Sequence, residues 1–509
     1  MLNKFRIAIS EGSHQPGVPI ETHSSCADDI TNRLISALAP ALGAEQTSID
    51  VGGAYFHGTP PSMAEGGRRL YAAVPPWLCD FGDYPMLTAN GRRNLLLITG
   101  NMPGRCDAGR IWQARFNVFL VWYGLRQLLT DRRVWVLLAR MGTLVIHDHV
   151  DYSRLTSTTA AVRSHFYRAW AAEFGSPPEP STLSEDFTGL RHHRVGLRSV
   201  EISCLGVLRS LADLIAAHPL GRGTPCDVPL PADAIRQLRI KPDARNPLCP
   251  DLVPLAQQIG GTIGFITNMV RPDAHFAYCL VSRYLSPQRL TRVAFRYLLR
   301  VAHYLVASRD LCLTLTAPAR LPVTASSSGL NLCSAYADSS HGNAEHGRSF
   351  GGFVLLCEDP TLASPPPGGA FAWKVEAPPE GDDSSAAAEL RMLARAVKYT
   401  VAVRTIQRDL ALGIGPTAPT ALFTDAGAVL SGKGGERMTK STRWLATRYA
   451  MLRWAEASRT VRLAKVAAAD NPADIMTKCL VGPAFFRHHA RALGLPAPLY
   501  RPVPICGAT

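Results

Sequence analysis

The sequence predicts an α/β fold, and three observations carry the prediction. Short apolar runs of strand length alternate with longer stretches whose apolar residues recur at helical spacing. Towards the C-terminus the order reads three strands, a helix, a strand, helices, a strand and a helix. Asp338, Glu389, Asp425 and Asp474 each stand where that order turns the chain toward one end of a sheet. The 509 residues, 47% of them hydrophobic, suffice for two or three domains with buried cores.

Residues 334–338 form the first strand of this segment, 350–357 the second and 370–375 the third. Ser384 and Ser385 can cap a helix opened by Glu389, with Leu390, Leu393, Val397 and Val401 as its apolar stripe. A strand at 421–424 ends in Asp425. Another at 461–466 leads through Asn471 and Pro472 to Asp474, ahead of a further apolar helical pattern. Crowded carboxylates repel by roughly 4 kcal/mol per pair about 4 Å apart at an effective dielectric near 20. Divalent cations remove that conflict, and oxygen-only ligands favour Mg²⁺ or Mn²⁺ over zinc. Two such ions, ~3.5–4 Å apart, activate a water and stabilise the leaving oxygen of a phosphodiester.

Residues 336–338, 384–389, 423–425 and 471–478 resemble the ribonuclease H domain of copia-type long-terminal-repeat retrotransposons. The resemblance implies that Asp338, Glu389, Asp425 and Asp474 hold two magnesium ions and cleave the RNA strand of an RNA–DNA hybrid. Arg437, Lys440 and Arg443 fall where the family carries a basic segment; a phosphate contact and a solvated loop both remain open for them. Upstream, residues 48–58, 71–76 and 102–112 are similar to reverse transcriptase motifs of the same Pol polyprotein. That similarity implies that Asp50 binds metal, that Tyr55 lies under the incoming sugar and rejects a 2′-hydroxyl, and that Asp107 and Arg110 belong to a nucleotide-contacting motif. Residues 263–265, 271–273 and 282–285 look like the family's segment between polymerase and nuclease.

Two departures fall in the polymerase. The family's hairpin of two adjacent aspartates is matched by His149, Val150, Asp151 and Tyr152, so the second aspartate is a tyrosine. Asp50 and Asp151 remain as ligands, and Asp148 sits at a different point of the hairpin. Asp107 stands where the family has a glutamine, and its charge opposes a triphosphate unless a cation intervenes. The expectation is an RNA-directed DNA polymerase with an impaired site joined to a ribonuclease H. Its partners are RNA template, DNA, RNA–DNA hybrid and deoxynucleoside triphosphates, and its cofactor is Mg²⁺ or Mn²⁺. A nuclease-only enzyme and a catalytically dead hybrid-binding remnant stay open.

The formal charge of +14 suits a polyanionic partner. A helical pattern over 287–305 sets Leu290, Ala294, Tyr297, Val301 and Leu305 on one face. Arg289, Arg292, Arg296 and Arg300 lie on another, suited to tracking phosphates. Twelve cysteines are scattered without zinc-ligand or disulfide spacing. No apolar run spans a membrane, and residues 1–6 lack a signal-peptide core, so an intracellular protein is expected. The expected organisation is α+β polymerase fingers and palm at 1–175, then a proline-rich linker and helical thumb- or connection-like segment at 176–325, with 218–250 extended. A ribonuclease H-like mixed sheet flanked by helices follows at 326–485, and a tail at 486–509.

Overall fold

The computed structural model describes residues 28–51, 53–60, 70–79, 85–88, 90–150, 152–175, 179–180, 186–219, 226–317, 333–344, 348–358, 368–378, 382–410, 418–432 and 445–495. The α/β expectation is borne out, with helices interspersed among four sheets in the described residues. The chain divides into two compact units, with boundaries at 28/29, 44/45 and 184/185. The helix α1 (Asp29–Leu38) belongs to the second unit although the first unit follows it in sequence.

In the first unit, β1 (Glu45–Asp50) precedes a ribbon of β2 (Leu70–Ala73) and β3 (Leu95–Ile98), with the short α2 (Pro76–Cys79) between them. Then come α3 (Ala108–Tyr123), β4 (Arg126–Gln127), β5 (Val134–Ala139), β6 (Gly142–His149), β7 (Tyr152–Ser157), α4 (Ala160–Phe174) and β8 (Glu179–Pro180). Six strands form one sheet in the order β4-β5-β6-β7-β1-β8. Thr159 starts α4 by accepting the Val162 N–H, and Gly124 and Gly175 end the two long helices in the left-handed conformation that glycine adopts without strain. Both helices turn aromatic rings inward: Trp112, Phe116, Phe119, Phe166, Trp170 and Phe174 pack over Ile49, Leu144, Ile146 and Leu155. Alternation along β6 places Leu144 and Ile146 on one face.

The second unit opens with β9 (Asp186–Phe187), β10 (Leu190–Arg194) and β11 (Ser199–Ser203), followed by α5 (Leu205–Ala216), α6 (Ala234–Leu238), α7 (Val253–Met269), α8 (Pro272–Val281) and α9 (Arg292–Ala307). The strand β12 (Leu313–Thr316) returns to pair with β11 in a sheet ordered β12-β11-β10-β9. Residues 226–250, expected to be an extended linker, instead contain α6 and bury Leu230, Ala234 and Leu238. The prolines there fix φ without keeping neighbouring side chains from the core. The helix expected from residue 287 starts at Arg292, where Thr291 accepts the Ala294 N–H. Arg292 and Arg296 are exposed as expected, Arg289 lies over the Tyr284 ring, and Tyr297 is only half-buried. Arg271 and Asp273 are fully buried and doubly hydrogen-bonded to each other, and the Tyr304 hydroxyl donates to the same carboxylate. With its bonds filled, the pair joins α8 to α9.

The remaining elements are β13 (Cys333–Ser340), β14 (Phe350–Cys357), β15 (Ala370–Glu376), α10 (Ser385–Leu410), β16 (Thr420–Thr424), α11 (Gly427–Gly432), α12 (Ala446–Ala457), β17 (Val461–Lys465), a 3₁₀ turn at Pro472–Met476 and α13 (Gly482–Leu493). The sheet runs β15-β14-β13-β16-β17; the first three strands are antiparallel, and β16 and β17 continue parallel to β13. This is the mixed sheet flanked by helices that the resemblance implies. The α1 helix docks here, with Arg33 Nε donating to the Phe371 carbonyl at 2.7 Å and its guanidinium lying over the Trp373 ring. No helix among the described residues is long and apolar enough to cross a membrane.

Two glycines of β14 set how closely the overlying elements approach. A Cβ on Gly351 would stand 2.3 Å from Met392 Cγ of α10, and one on Gly352 would stand 2.3 Å from Met476 Cβ and 3.1 Å from its carbonyl oxygen. Gly352→Ala should therefore cost about 1–3 kcal/mol in a urea melt. Gly351→Ala should cost less, because its obstruction is a flexible methionine side chain. Wild-type stability for Gly352→Ala would contradict this packing.

Candidate metal centre

Strand register brings the acids together. Tyr336 of β13 is the parallel partner of Phe423 of β16, and their rings stack at 4.8 Å. Asp338 and Asp425 each lie two residues beyond that pair, so parallel pairing delivers both to the same sheet end. Asp474 arrives on the 3₁₀ turn. Asn471 Nδ2 donates to the Ala337 carbonyl at 3.1 Å while Asn471 Oδ1 accepts the Ala473 N–H, and Ser340 Oγ donates to the Thr477 carbonyl at 3.2 Å. The turn is thus stitched to β13 on both sides of Asp338. Carboxylate oxygens of Asp338, Asp425 and Asp474 lie within 4.8 Å of one another.

Glu389 comes from the side, one turn inside α10 rather than at its opening. Ser384 Oγ accepts the Ala387 N–H, and Arg391 makes a two-pronged bond to Asp382 at 3.0 and 2.7 Å, so the helix start is held on both sides. Glu389 Oε1 accepts the Ser339 N–H at 3.2 Å. Its Oε2 is buried with no hydrogen-bond partner.

Burial, followed by the charges of Asp338 and Asp425, pushes the Glu389 carboxyl up to about 8, against the opposing Ser339 hydrogen bond. Burial and then Asp338 raise Asp474 to about 6, opposed by Lys478. Asp338 is also raised by burial, opposed by Lys478 and by the Thr477 hydroxyl that donates to its Oδ2. Lys478 Nζ stands 2.7 Å from Asp474 Oδ1 and 3.5 Å from Asp338 Oδ2. Burial lowers the Lys478 ammonium, but Asp338 and Asp474 more than offset this and hold its pKa above the ordinary lysine value.

Three converging carboxylates and an orphaned buried carboxylate oxygen fit a hard divalent cation, which takes oxygen ligands and removes their mutual repulsion. Asp425 is half-buried and lines an open groove with Lys465, Val466, Ala467 and Ala468, so the cluster has an accessible side. Asn471, Thr477 and Lys478 fall within the 471–478 stretch that carries the resemblance but were given no role of their own there, and Gly352 was not singled out. The four-residue step from Asp474 to Lys478, which sets an acid beside a base within one helical turn, was the available signal.

The residues expected to serve a polymerase lie in the first unit. Asp50 ends β1 opposite Tyr152 of β7, and His149 also pairs with Tyr152, so the hairpin closes there. Val150 holds φ at 61°, a strained value for a β-branched residue, and its carbonyl accepts the Trp112 Nε1–H at 2.7 Å. Asp151 lies outside the described residues, as do Arg437, Lys440 and Arg443. Asp148 is fully buried and bonded to Arg133 at 2.5 Å, which agrees with leaving it out of the ligand set. Asp107 is buried and held by Arg105 at 2.9 and 3.1 Å, which balances its charge within the fold. Tyr55 is half-buried against the aromatic core, and Arg110 is half-buried on α3.

No family model and no curated protein matches the chain. Among solved structures it is similar to an N-terminal RNase H domain from Mycobacterium tuberculosis in a fusion with maltose-binding protein, at 20% identity over 28% of this chain and 89% of that one, with a TM-score of 0.21. It is also similar to a foamy viral protease-reverse transcriptase in complex with RNA/DNA hybrid, at 12% identity over 84% of this chain and 45% of that one, with a TM-score of 0.39. A second foamy viral structure, in complex with double-stranded DNA, gives 12% identity over 83% of this chain and 56% of that one, with a TM-score of 0.40. This chain therefore spans about half of the viral chains.

Glu389 gives the metal-free protein a pH signature. The folded state holds a proton up to about pH 8 that the unfolded chain, with a carboxyl near 4.5, has already released. Stability therefore falls as pH rises toward 8. Below about pH 6.5 the slope is mixed, because His275, His488 and His489, lowered to about 4 by burial, act in the opposite direction. Melting temperatures in EDTA should drop between about pH 6.5 and 8, and Glu389→Gln should remove most of that drop. An equal slope in both proteins would contradict the assigned environment.

Proposed function

We propose that this chain is the reverse transcriptase and ribonuclease H region of a copia-type retroelement Pol polyprotein. Its nuclease cleaves the RNA strand of RNA–DNA hybrids, and its polymerase is impaired. The observation that carries the reading is the convergence of Asp338, Asp425 and Asp474 at one end of a sheet ordered β15-β14-β13-β16-β17, with Glu389 bonded to the Ser339 N–H beside Asp338. Asp338, Glu389, Asp425 and Asp474 would hold Mg²⁺ or Mn²⁺. Bound ions of this kind supply an activated water and charge stabilisation for the leaving oxygen. The protein's part is to keep the carboxylates fixed and largely out of water, with Asp425 on the open groove where a phosphodiester can enter. The exposed Arg292 and Arg296 offer cations for the duplex backbone.

The polymerase half of the reading rests on Asp50 at the end of β1 and on the hairpin that carries Tyr152 in place of an aspartate. Asp148 is engaged by Arg133 and supplies no replacement ligand. This favours a nuclease with little DNA synthesis over a fully bifunctional enzyme.

A labelled RNA template annealed to a DNA primer, incubated with deoxynucleotides and magnesium and resolved for both strands, tests the two halves together. The reading predicts RNA cleavage that EDTA stops, with little primer extension. Asp338→Asn and Glu389→Gln should each abolish cleavage, and cleavage retained in both would refute the site. Tyr152→Asp should raise extension; no rise would remove Tyr152 as the cause of impairment.

A further inference from the structure

Lys478 carries a role that the family resemblance does not assign, and the inference rests on reading Asp338 and Asp474 as metal ligands. Its ammonium stands 2.7 Å from one of these carboxylates and 3.5 Å from the other. The position is built rather than incidental. The Lys478 backbone N–H bonds the Asp474 carbonyl at 3.0 Å, and the neighbouring Thr477 hydroxyl fixes the Asp338 oxygen that faces the ammonium. The side chain is 37% exposed, so its four-carbon stem has a way out to solvent.

We propose that the Lys478 ammonium is a built-in counter-cation of the carboxylate cluster, holding Asp338 and Asp474 together without a divalent ion and withdrawing when one binds. Two requirements lead there. Without a cation, crowded buried carboxylates repel and pull the 472–476 turn away from β13. With a metal bound, the carboxylate oxygens lie about 2.0–2.1 Å from the ion, and an ammonium on the same oxygens is both crowded and repelled. Lys478 and the metal therefore compete for one set of lone pairs. The lysine stabilises the metal-free fold at the expense of metal affinity, and acts through its carboxylate neighbours as a positioning residue.

The test titrates the full chain with Mn²⁺ alone, following free Mn²⁺ by electron paramagnetic resonance. Lys478→Gln should bind the first Mn²⁺ roughly tenfold more tightly than wild type, within the usual range of coupling between competing ligands. The same variant should melt at a lower temperature in EDTA. A purely structural lysine would lower stability without tightening metal binding, so unchanged or weaker Mn²⁺ affinity overturns the proposal. If the variant does not fold, wild type still decides. Acylation of Lys478 by an amine-reactive reagent, mapped by mass spectrometry, should accelerate on adding Mn²⁺, and an unchanged rate overturns the idea. Wild type that cleaves hybrids and binds Mn²⁺, with no effect of Lys478→Gln, removes the counter-cation alone. Wild type that binds no Mn²⁺ removes the nuclease reading with it.

Discussion

Mutual repulsion among buried carboxylates is the constraint around which the second unit is arranged. Asp338 lies in a strand buried along its whole length, and Glu389 in a helix packed on that strand, so neither acid escapes to water by a rotamer change. Burial and like charge push the carboxyls toward their neutral forms, most strongly at Glu389. What keeps them together is local: the Asn471 and Ser340 stitches, the Arg391–Asp382 clamp at the helix start, and Lys478 between two of the acids. Gly351 and Gly352 add the steric condition, since a β-carbon on Gly352 would meet the Asp474 turn at Met476 and one on Gly351 would displace the Met392 side chain of α10. An arrangement this costly without a cation fits the donor set of a hard divalent ion, as the proposed function requires.

Packing also explains why the C-terminal sheet and the helices before it belong to one compact unit. The Arg271–Asp273–Tyr304 network joins α8 to α9, and His489 of α13 sits 3.5 Å from Asp273. Arg491, also on α13, bonds Glu358 and the Tyr336 hydroxyl, two residues before Asp338. The helix that closes the fold is thus tied to the strand that carries the first acid.

Much of this arrangement was legible in the sequence, and what was not has identifiable causes. The bounds of β14 coincide with the apolar run at 350–357, and parallel pairing of β13 with β16 is what the acid positions imply. The helix carrying Glu389 was legible from its stripe and from Ser384, which supplies the capping oxygen; its first turn was not, because Ser385–Ala388 precede the stripe that begins at Leu390. The pairing of β11 with β12 joins segments far apart in sequence and has no local signature. The docking of α1 depends on Arg33 reaching a backbone carbonyl and an aromatic face, a partnership that no periodicity in Asp29–Leu38 announces. The proline-rich stretch reads as extended because proline reports on the backbone and says nothing about whether Leu230 or Leu238 is buried.

The central claim is that these carboxylates place a divalent ion on a phosphodiester oxygen. It is tested most directly by a hybrid with a single phosphorothioate at the scissile position of the RNA strand. The account predicts that one sulfur stereoisomer is cut much more slowly in Mg²⁺ and that a more thiophilic ion such as Mn²⁺ restores its cleavage, because sulfur binds the softer ion better. Equal cleavage of both stereoisomers and the unmodified strand in Mg²⁺, under conditions where the chemical step is rate-limiting, would contradict direct metal contact and the account built on it.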